Sequence, residues 1–532
     1  MRKQIRTALI ALLFIAIPLG SLCAWESHSK WYEYNVGFKV NTANGPSYSM
    51  AAITEGMNEW NRVYTSDLEF DYRGTTTGHS VTRNNQNIIY FSNLGYALGV
   101  CYTWWSPNPV RITESDIIID SQPGNPWTFD RLRAVTIHEV GHTLGLDHTT
   151  EPAIMQPTIN SSRLYLQQDD VDGITALYPS ANLCGDFNSD DRGDILWKHT
   201  STGQVLNWML DGISITSTGT LSTMSDLFWQ IRAKADFNGD GESDILWRHE
   251  DTGAVKIWLI NDHTLTTDVD LYSVSDLKWR IVGTGDFDGD GKSDILWRHG
   301  SAGHVNIWLV DGETIKAAAK LFTQSDFNWQ IRALADFNGD GKDDILWRHC
   351  VLGHVNLWLL DGIGFAGAGK IHTLSDLNWR IEETGDFNGD GNHDILWRHG
   401  TAGHIVIWLL DGVNFVGAGK LHTLSDMLWQ VRAVADMDDD GKADILWRHT
   451  HLGHVNVWLI DGLGFKGASK LQTQSDMNWQ IRGLGDFDGD SKIDLLWRNV
   501  STGSVYMWLV DGVSIKSSGE LFVVSDLDYK IQ

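Results

Sequence analysis

The sequence predicts a multidomain chain in which a mixed helix-and-strand domain is followed by an all-β seven-bladed propeller. Three observations predict it. From residue 186 onward, Asp186, Asp236, Asp286, Asp336, Asp386, Asp436 and Asp486 open the same motif at 50-residue intervals, with no insertion or deletion. A 50-residue period is the size of one four-stranded blade. The last residues, Tyr529-Lys-Ile531, fall 50 positions after Trp479 and Ile481, whereas the first copy has Pro179 and Ala181 at its lead-in. The C-terminus therefore supplies the strand that the first repeat lacks, which a closed ring requires and an open solenoid does not. Ahead of the repeats, His138-Glu139-Val-Gly-His142 places two histidines four apart on one helix face.

Composition narrows the function classes. The 532 residues are 42% hydrophobic, enough for packed cores, and 53 Gly with 26 Trp fit many short elements joined by turns. A formal net charge of −27 argues against nucleic acid or an anionic membrane surface as partner.

The first 24 residues read as a signal peptide. Arg2, Lys3 and Arg6 form a basic start, and Ala8 to Leu19 is an apolar run too short to span a bilayer. Small residues then allow cleavage after Ala24, while Leu22 is the wrong size for a lipoprotein site at Cys23. No later stretch is apolar and long enough for a transmembrane helix, so an exported, secreted chain is expected. The domains expected are 25–179 and 180–532. Beyond Cys23, Cys101, Cys184 and Cys350 are an odd number, so a disulfide framework is not what holds the fold.

Within a repeat, apolar residues alternate with polar ones and Gly punctuates, as in His354-Val-Asn-Leu-Trp358-Leu-Leu followed by Asp361-Gly362. This is the pattern of short antiparallel strands. Oxygen side chains at loop positions 1, 3, 5 and 9, with Gly at 6, suit one calcium ion, because so many carboxylates in one turn repel unless a cation neutralises them. The candidate calcium residues are Asp186, Asn188, Asp190 and Asp194; Asp236, Asn238, Asp240 and Asp244; Asp286, Asp288, Asp290 and Asp294; Asp336, Asn338, Asp340 and Asp344. They continue with Asp386, Asn388, Asp390 and Asp394; Asp436, Asp438, Asp440 and Asp444; and Asp486, Asp488, Asp490 and Asp494. Asp191 and Ser491 replace Gly at position 6 and mark the first and last loops as departures. The loops resemble those of FG-GAP/VCBS repeats, the integrin-type calcium-binding blades, which implies up to seven Ca²⁺ over 186–532. Twenty of the 26 Trp lie in the repeats. They read as core or blade-interface residues in preference to sugar platforms. The recurrent histidines of the His299 and His304 type vary between copies and do not read as ligands.

The chemistry is expected before the repeats. Gly145 can end the helix of His138 and His142 and swing His148 round as a third ligand. Three neutral imidazoles leave zinc one open position for water, the arrangement of a catalytic site. The stretch resembles the metzincin zinc peptidases, and within them the matrixins, from about Trp31 to Pro179. The resemblance implies an α+β metzincin (matrixin-like) catalytic domain with one zinc on His138, His142 and His148, Glu139 as general base, and Met155 in a Met-turn beneath the metal. Ser115 to Asp120, Trp127 and Asp169 to Ile174 fit further landmarks, as do a strand over Tyr32 to Val40 and a helix face of Ile53, Met57, Trp60 and Tyr64. No His-x-Asp motif precedes the helix, so a second, structural zinc is not expected. Neither is a propeptide thiol, since Cys101 lies within the domain.

The resemblance implies a secreted endopeptidase whose substrates are extracellular proteins or peptides, laid extended against the strand near Leu98 to Tyr102. The propeller would dock a glycan or matrix ligand, and the protein would be a monomer. The alternative is an adhesin or lectin-like propeller with an accessory or inactive peptidase domain.

Overall fold

The computed structural model describes residues 4–6, 35–60, 69–79, 81, 83–84, 86–95, 97–107, 110–124, 126–146, 148, 154–156, 184–326, 328–349, 351–400, 402–426, 428–449, 452–476 and 478–532. Contacts divide the chain into two units, Met1–Ser180 and Ala181–Gln532.

The first unit pairs one sheet with two helices. Its elements are β1 (Gln4–Arg6), β2 (Asn35–Asn41), α1 (Ser49–Trp60), β3 (Glu69–Thr75), β4 (Asn87–Ser92), β5 (Gly99–Pro107), β6 (Val110–Asp120) and α2 (Phe129–Thr143). The sheet order is β1-β5-β6-β4-β2-β3. β5 runs antiparallel to β6, and β6/β4, β4/β2 and β2/β3 are parallel. Alternation puts Val36, Phe38, Val40, Ile117 and Ile119 on the face that α1 and α2 cover with Ile53, Met57, Trp60, Ile137 and Val140. The expected helix face is found on α1, which ends at Trp60, and the expected strand is found from Asn35 onward; Tyr32 and Tyr64 lie outside the described residues. So do Cys23, Trp31, Asp169 to Ile174, Pro179 and Cys350. The helices approach closely where Gly56 faces Thr136: a Cβ there would fall 2.8 Å from the threonine's side chain.

The second unit is seven four-stranded antiparallel sheets. Six are continuous in sequence, such as Trp329–Ala335, Asp344–His349, His354–Asp361 and Gly364–Thr373. The seventh joins Ile195–His199, Gln204–Asp211 and Ser214–Thr223 to Tyr529–Ile531. Its pairing is Tyr529↔His199, Lys530↔Lys198 and Ile531↔Trp197, so the C-terminus closes the ring as the repeat phase required.

One tryptophan of each sheet is fully buried in the core. Trp197, Trp247, Trp297, Trp347, Trp397, Trp447 and Trp497 are at most 1% exposed and each packs on a second Trp of its sheet, as Trp347 does on Trp358 at 4.6 Å. Over each of these seven rings lies a cation from the preceding sheet: Lys198 over Trp247, Arg248 over Trp297, Arg298 over Trp347, and so on to Arg498 over Trp197, at 4.7–5.4 Å. Buried cation–π contacts of this kind are worth about 2 kcal/mol each. The blade histidines have protein partners: His299 Nε2 meets Asp276 at 2.9 Å, and His304 Nδ1 meets its cross-strand neighbour Thr323 at 2.9 Å. Cys101 is buried with its Sγ 3.3 Å from Ser115 Oγ, and Cys184 is a free thiol.

Asp191 and Ser491 do not break their loops. They take the left-handed φ of their glycine counterparts, +62° and +65° against +79° at Gly341. Their N–H groups donate to Asp186 and Asp486 as the glycines' do. A side chain in that region costs roughly 1–2 kcal/mol. Ser491→Gly should therefore stabilise the second unit by about 1 kcal/mol, read as a higher denaturant midpoint at unchanged m-value.

Candidate metal centre

Helix α2 starts at Thr128, whose side-chain oxygen accepts from the Arg131 N–H at 3.2 Å. It carries His138 and His142 one turn apart with ring centroids 4.8 Å apart. It stops at Gly145, at φ +95°, where the Leu146 N–H returns to the Gly141 carbonyl at 3.2 Å. The left-handed turn lets the chain reverse and bring His148 back over the helix. His148 Nε2 lies 3.2 Å from His138 Nε2 and 3.2 Å from His142 Nε2. The three histidines predicted from spacing are brought together.

The donor set fits zinc. His138 Nδ1 lies 2.8 Å from the Ile154 carbonyl and His142 Nδ1 lies 2.8 Å from the Leu146 carbonyl. A carbonyl only accepts, so both Nδ1 atoms carry hydrogen and both Nε2 atoms present lone pairs. Two such lone pairs converge on one point with a third imidazole, which is unfavourable without a cation. Tetrahedral ligands at 2.0–2.1 Å from zinc stand about 3.3 Å apart, matching the observed spacing. Burial pushes the His138 imidazole down to about 4, keeping it neutral for ligation.

Glu139 is fully buried on the same helix, and both carboxylate oxygens lack a hydrogen-bond partner. Burial pushes its carboxyl up to about 8, and a nearby dication would act in the opposite sense. An orphaned buried carboxylate beside three converging imidazoles needs a polar partner, and a water on the metal would be one. Met155, 2% exposed, packs on Gly141 between the two helix histidines; a Cβ at Gly141 would lie 2.2 Å from its sulfur.

Sequence reasoning missed four contributors. Gly141 makes room for Met155, and Gly99 on β5 makes room for Glu139, whose Cγ would be 2.6 Å from a Cβ there. A glycine inside a helix or strand pattern signals close approach, but not of what. The Ile154 and Leu146 carbonyls that orient the imidazoles carry no sequence signal at all.

In the second unit the loop carboxylates gather, as in Asp286 with Asp288 and Asp290, Asp436 with Asp438 and Asp444, and Asp486 with Asp488 and Asp494. Position 1 collects main-chain donors: Asp336 accepts from Asn338, Gly339 and Gly341. The acid at position 9 also has main-chain partners. Asp344 accepts from the Phe337 and Leu360 N–H groups, one on each oxygen, and the other six copies do the same. The acid at 9 thus ties the loop to its own sheet, and burial raises its carboxyl to about 7. At position 3, Asn188, Asp288, Asp438 and Asp488 each keep a buried Oδ1 with no partner.

Comparison with known proteins agrees with both halves. Residues 30–179 match the Matrixin family model, and 236–297, 286–347 and 386–447 match the FG-GAP-like repeat. Stromelysin-1 of Mus musculus is 48% identical over 174 residues, covering 30% of this chain and 35% of that protein. Metalloendoproteinase 2-MMP of Arabidopsis thaliana is 37% identical over 105 residues, 18% of this chain and 27% of that one. The chain thus spans about a third of the length of these relatives. Among solved structures, the Myceliophteria thermophila Cps50 (Swd1) beta-propeller domain overlays with a TM-score of 0.39 at 13% identity, over 62% of this chain and 97% of that one.

Proposed function

From a chain that carries a matrixin domain at residues 30–179, followed by FG-GAP-like repeats closed into a seven-bladed propeller, we propose a secreted zinc endopeptidase. The observation that carries this reading is the convergence of three imidazoles beside an unpartnered, buried carboxylate. His138, His142 and His148 would hold one zinc. That ion, when bound, supplies Lewis acidity to a water and to the peptide carbonyl. Glu139 accepts the proton of the attacking water on a carboxylate oxygen and delivers it to the departing amine nitrogen. The burial that leaves Glu139 without partners also excludes bulk water that would compete for that proton.

β5 would align the substrate. Short of Gln4–Arg6, which pairs antiparallel along Cys101–Thr103, β5 has no neighbour on its outer side among the described residues. A peptide lying there would use the same main-chain hydrogen bonds, and Gly99 at the start of the strand adjoins Glu139. Under this reading residues 1–24 are the signal peptide, 25–179 the peptidase and 180–532 a docking module for a glycan or matrix ligand. The protein acts as a monomer on extracellular protein or peptide substrates. No helix among the described residues is long and apolar enough to cross a membrane.

The propeller loops would take calcium, up to seven ions. They offer only oxygens, which suit calcium and disfavour zinc, while the imidazole site has the opposite preference. The buried, partnerless Oδ1 atoms of Asn188, Asp288, Asp438 and Asp488 support this. The two metals separate experimentally. A nitrogen-donor zinc chelator should abolish casein cleavage and leave the propeller's melting transition in place. A calcium-selective chelator should lower that transition, with stabilisation returning at roughly 10⁻⁴–10⁻³ M free calcium. Absence of cleavage by the zinc-loaded protein would favour the adhesin alternative. A melting curve indifferent to calcium would sink the calcium assignment.

A further inference from the structure

All seven acidic loops supply a side-chain N–H or ammonium donor to the position-5 carboxylate, yet that donor comes from two different places. In four loops position 3 is Asn and its own amide donates: Asn188 to Asp190 at 3.2 Å, Asn238 to Asp240 at 2.8 Å, Asn338 to Asp340 at 3.1 Å and Asn388 to Asp390 at 2.9 Å. In the other three position 3 is Asp, which when ionised has no hydrogen to give. There a lysine from the fourth strand of the same sheet bridges positions 3 and 5. Lys316 reaches Asp288 at 2.8 Å and Asp290 at 3.0 Å. Lys466 reaches Asp438 at 2.6 Å and Asp440 at 2.7 Å, and Lys516 reaches Asp488 at 2.8 Å and Asp490 at 2.9 Å.

The pairing is complete across the copies. At the place these lysines occupy, the four Asn loops carry Thr216, Thr266, Ala366 and Val416. Every Asp at position 3 is matched by a Lys and no Asn is. The charge balances accordingly. An Asn loop has carboxylates at positions 1, 5 and 9; an Asp loop has a fourth carboxylate and an ammonium that cancels it. Each lysine bonds Oδ2 of position 3, while Oδ1 of Asp288, Asp438 and Asp488 stays buried and without a partner, as Oδ1 of Asn188 does; in the other three Asn loops that oxygen accepts the position-5 N–H, at 2.9 Å for Asn238, 3.3 Å for Asn338 and 3.0 Å for Asn388. The lysine therefore takes the place of the amide's N–H and leaves the inward oxygen free.

We propose that Lys316, Lys466 and Lys516 are positioning residues that replace the asparagine amide, so that in all seven loops the position-5 carboxylate has a side-chain donor and positions 1, 3, 5 and 9, taken with the bridging lysine, present the same formal charge to a divalent cation. The cation itself rests on the calcium reading above; the pairing does not. The test is a rescue series in the full-length chain, with calorimetric melting measured in chelator and at millimolar calcium. Lys316→Ala/Lys466→Ala/Lys516→Ala should lower the propeller's melting temperature in chelator by roughly 1–4 °C, since exposed pairs are individually weak. It should also enlarge the rise on adding calcium, because the three loops then carry an extra negative charge. Adding Asp288→Asn, Asp438→Asn and Asp488→Asn should restore both values. In a single loop, Asn338→Asp should destabilise and Ala366→Lys should rescue it. A lysine triple variant that melts like the parent in chelator, or Asn substitutions that fail to restore it, would overturn the pairing. Calcium insensitivity of every variant, with the rescue in chelator intact, would sink the calcium reading alone.

Discussion

Glu139→Gln should lose about 10²–10⁴-fold in kcat on casein or a quenched-fluorescence peptide, while zinc content stays at one per chain and the first unit stays folded. The size follows from the role. The amide keeps the shape and the burial but cannot take a proton from water, so only the steps that need a base fail. Stability should hold or rise, because the carboxylate is buried without a hydrogen-bond partner and a neutral isostere removes its desolvation cost. Glu139→Ala should lose at least as much activity and also leave a cavity beside Gly99. Retained zinc together with wild-type turnover would remove Glu139 from the mechanism. Lost zinc in the Gln variant would instead make it part of the metal's support.

The second large effect is expected from a small deletion. Removing residues 526–532 takes away the strand Tyr529–Ile531 and the pairing that joins the last repeat to the first. It also removes the Asp526 contact to His199 at 3.1 Å and the Asp528 carbonyl that accepts from Thr200 at 2.9 Å. Ile531, 7% exposed, packs in one cluster with Ile195, Trp197, Leu210 and Leu496. Burial of Ile531 and Tyr529 with the lost hydrogen bonds amounts to about 5 kcal/mol. The melting temperature should fall by on the order of 5–10 °C. The strand Ile195–His199, buried along its whole length, would become an open edge, so light scattering should show self-association. A truncated protein that stays monodisperse and melts as the parent would mean that the ring needs no closure. An open array would lose only one repeat's contacts.

The ring was legible because the period never slips: one missing lead-in at Pro179 and Ala181 and one spare Tyr529-Lys-Ile531 can only be the same strand. The zinc-type triad was legible for a similar reason. Helical spacing fixes His138 against His142, and a glycine at 145 tells where the chain turns back. What spacing could not say is what holds the imidazoles, because main-chain carbonyls at Leu146 and Ile154 have no residue type. The loop spacing marks the position-9 aspartates as candidate cation ligands and says nothing of their main-chain partners. That they clamp two main-chain N–H groups each depends on the strand pairing behind them. The match between Asp288, Asp438, Asp488 and three lysines was printed in the sequence throughout. It became meaningful only when the fold put residues 26–28 apart in contact.

The seven cation–π contacts have one property that no single contact has. Each takes its cation from one sheet and its indole from the next, always in the same sense, and the last, Arg498 over Trp197, is of the same kind as the other six. This is the head-to-tail interface of a cyclic oligomer, written into one polypeptide. Such a ring has no first subunit. The seam inside the sheet that joins Tyr529–Ile531 to Ile195–His199 therefore has six equivalents around the ring, each a continuous strand pair. Copies could be gained or lost whole during descent, because a duplicated unit arrives with both a donor for its successor and an acceptor for its predecessor.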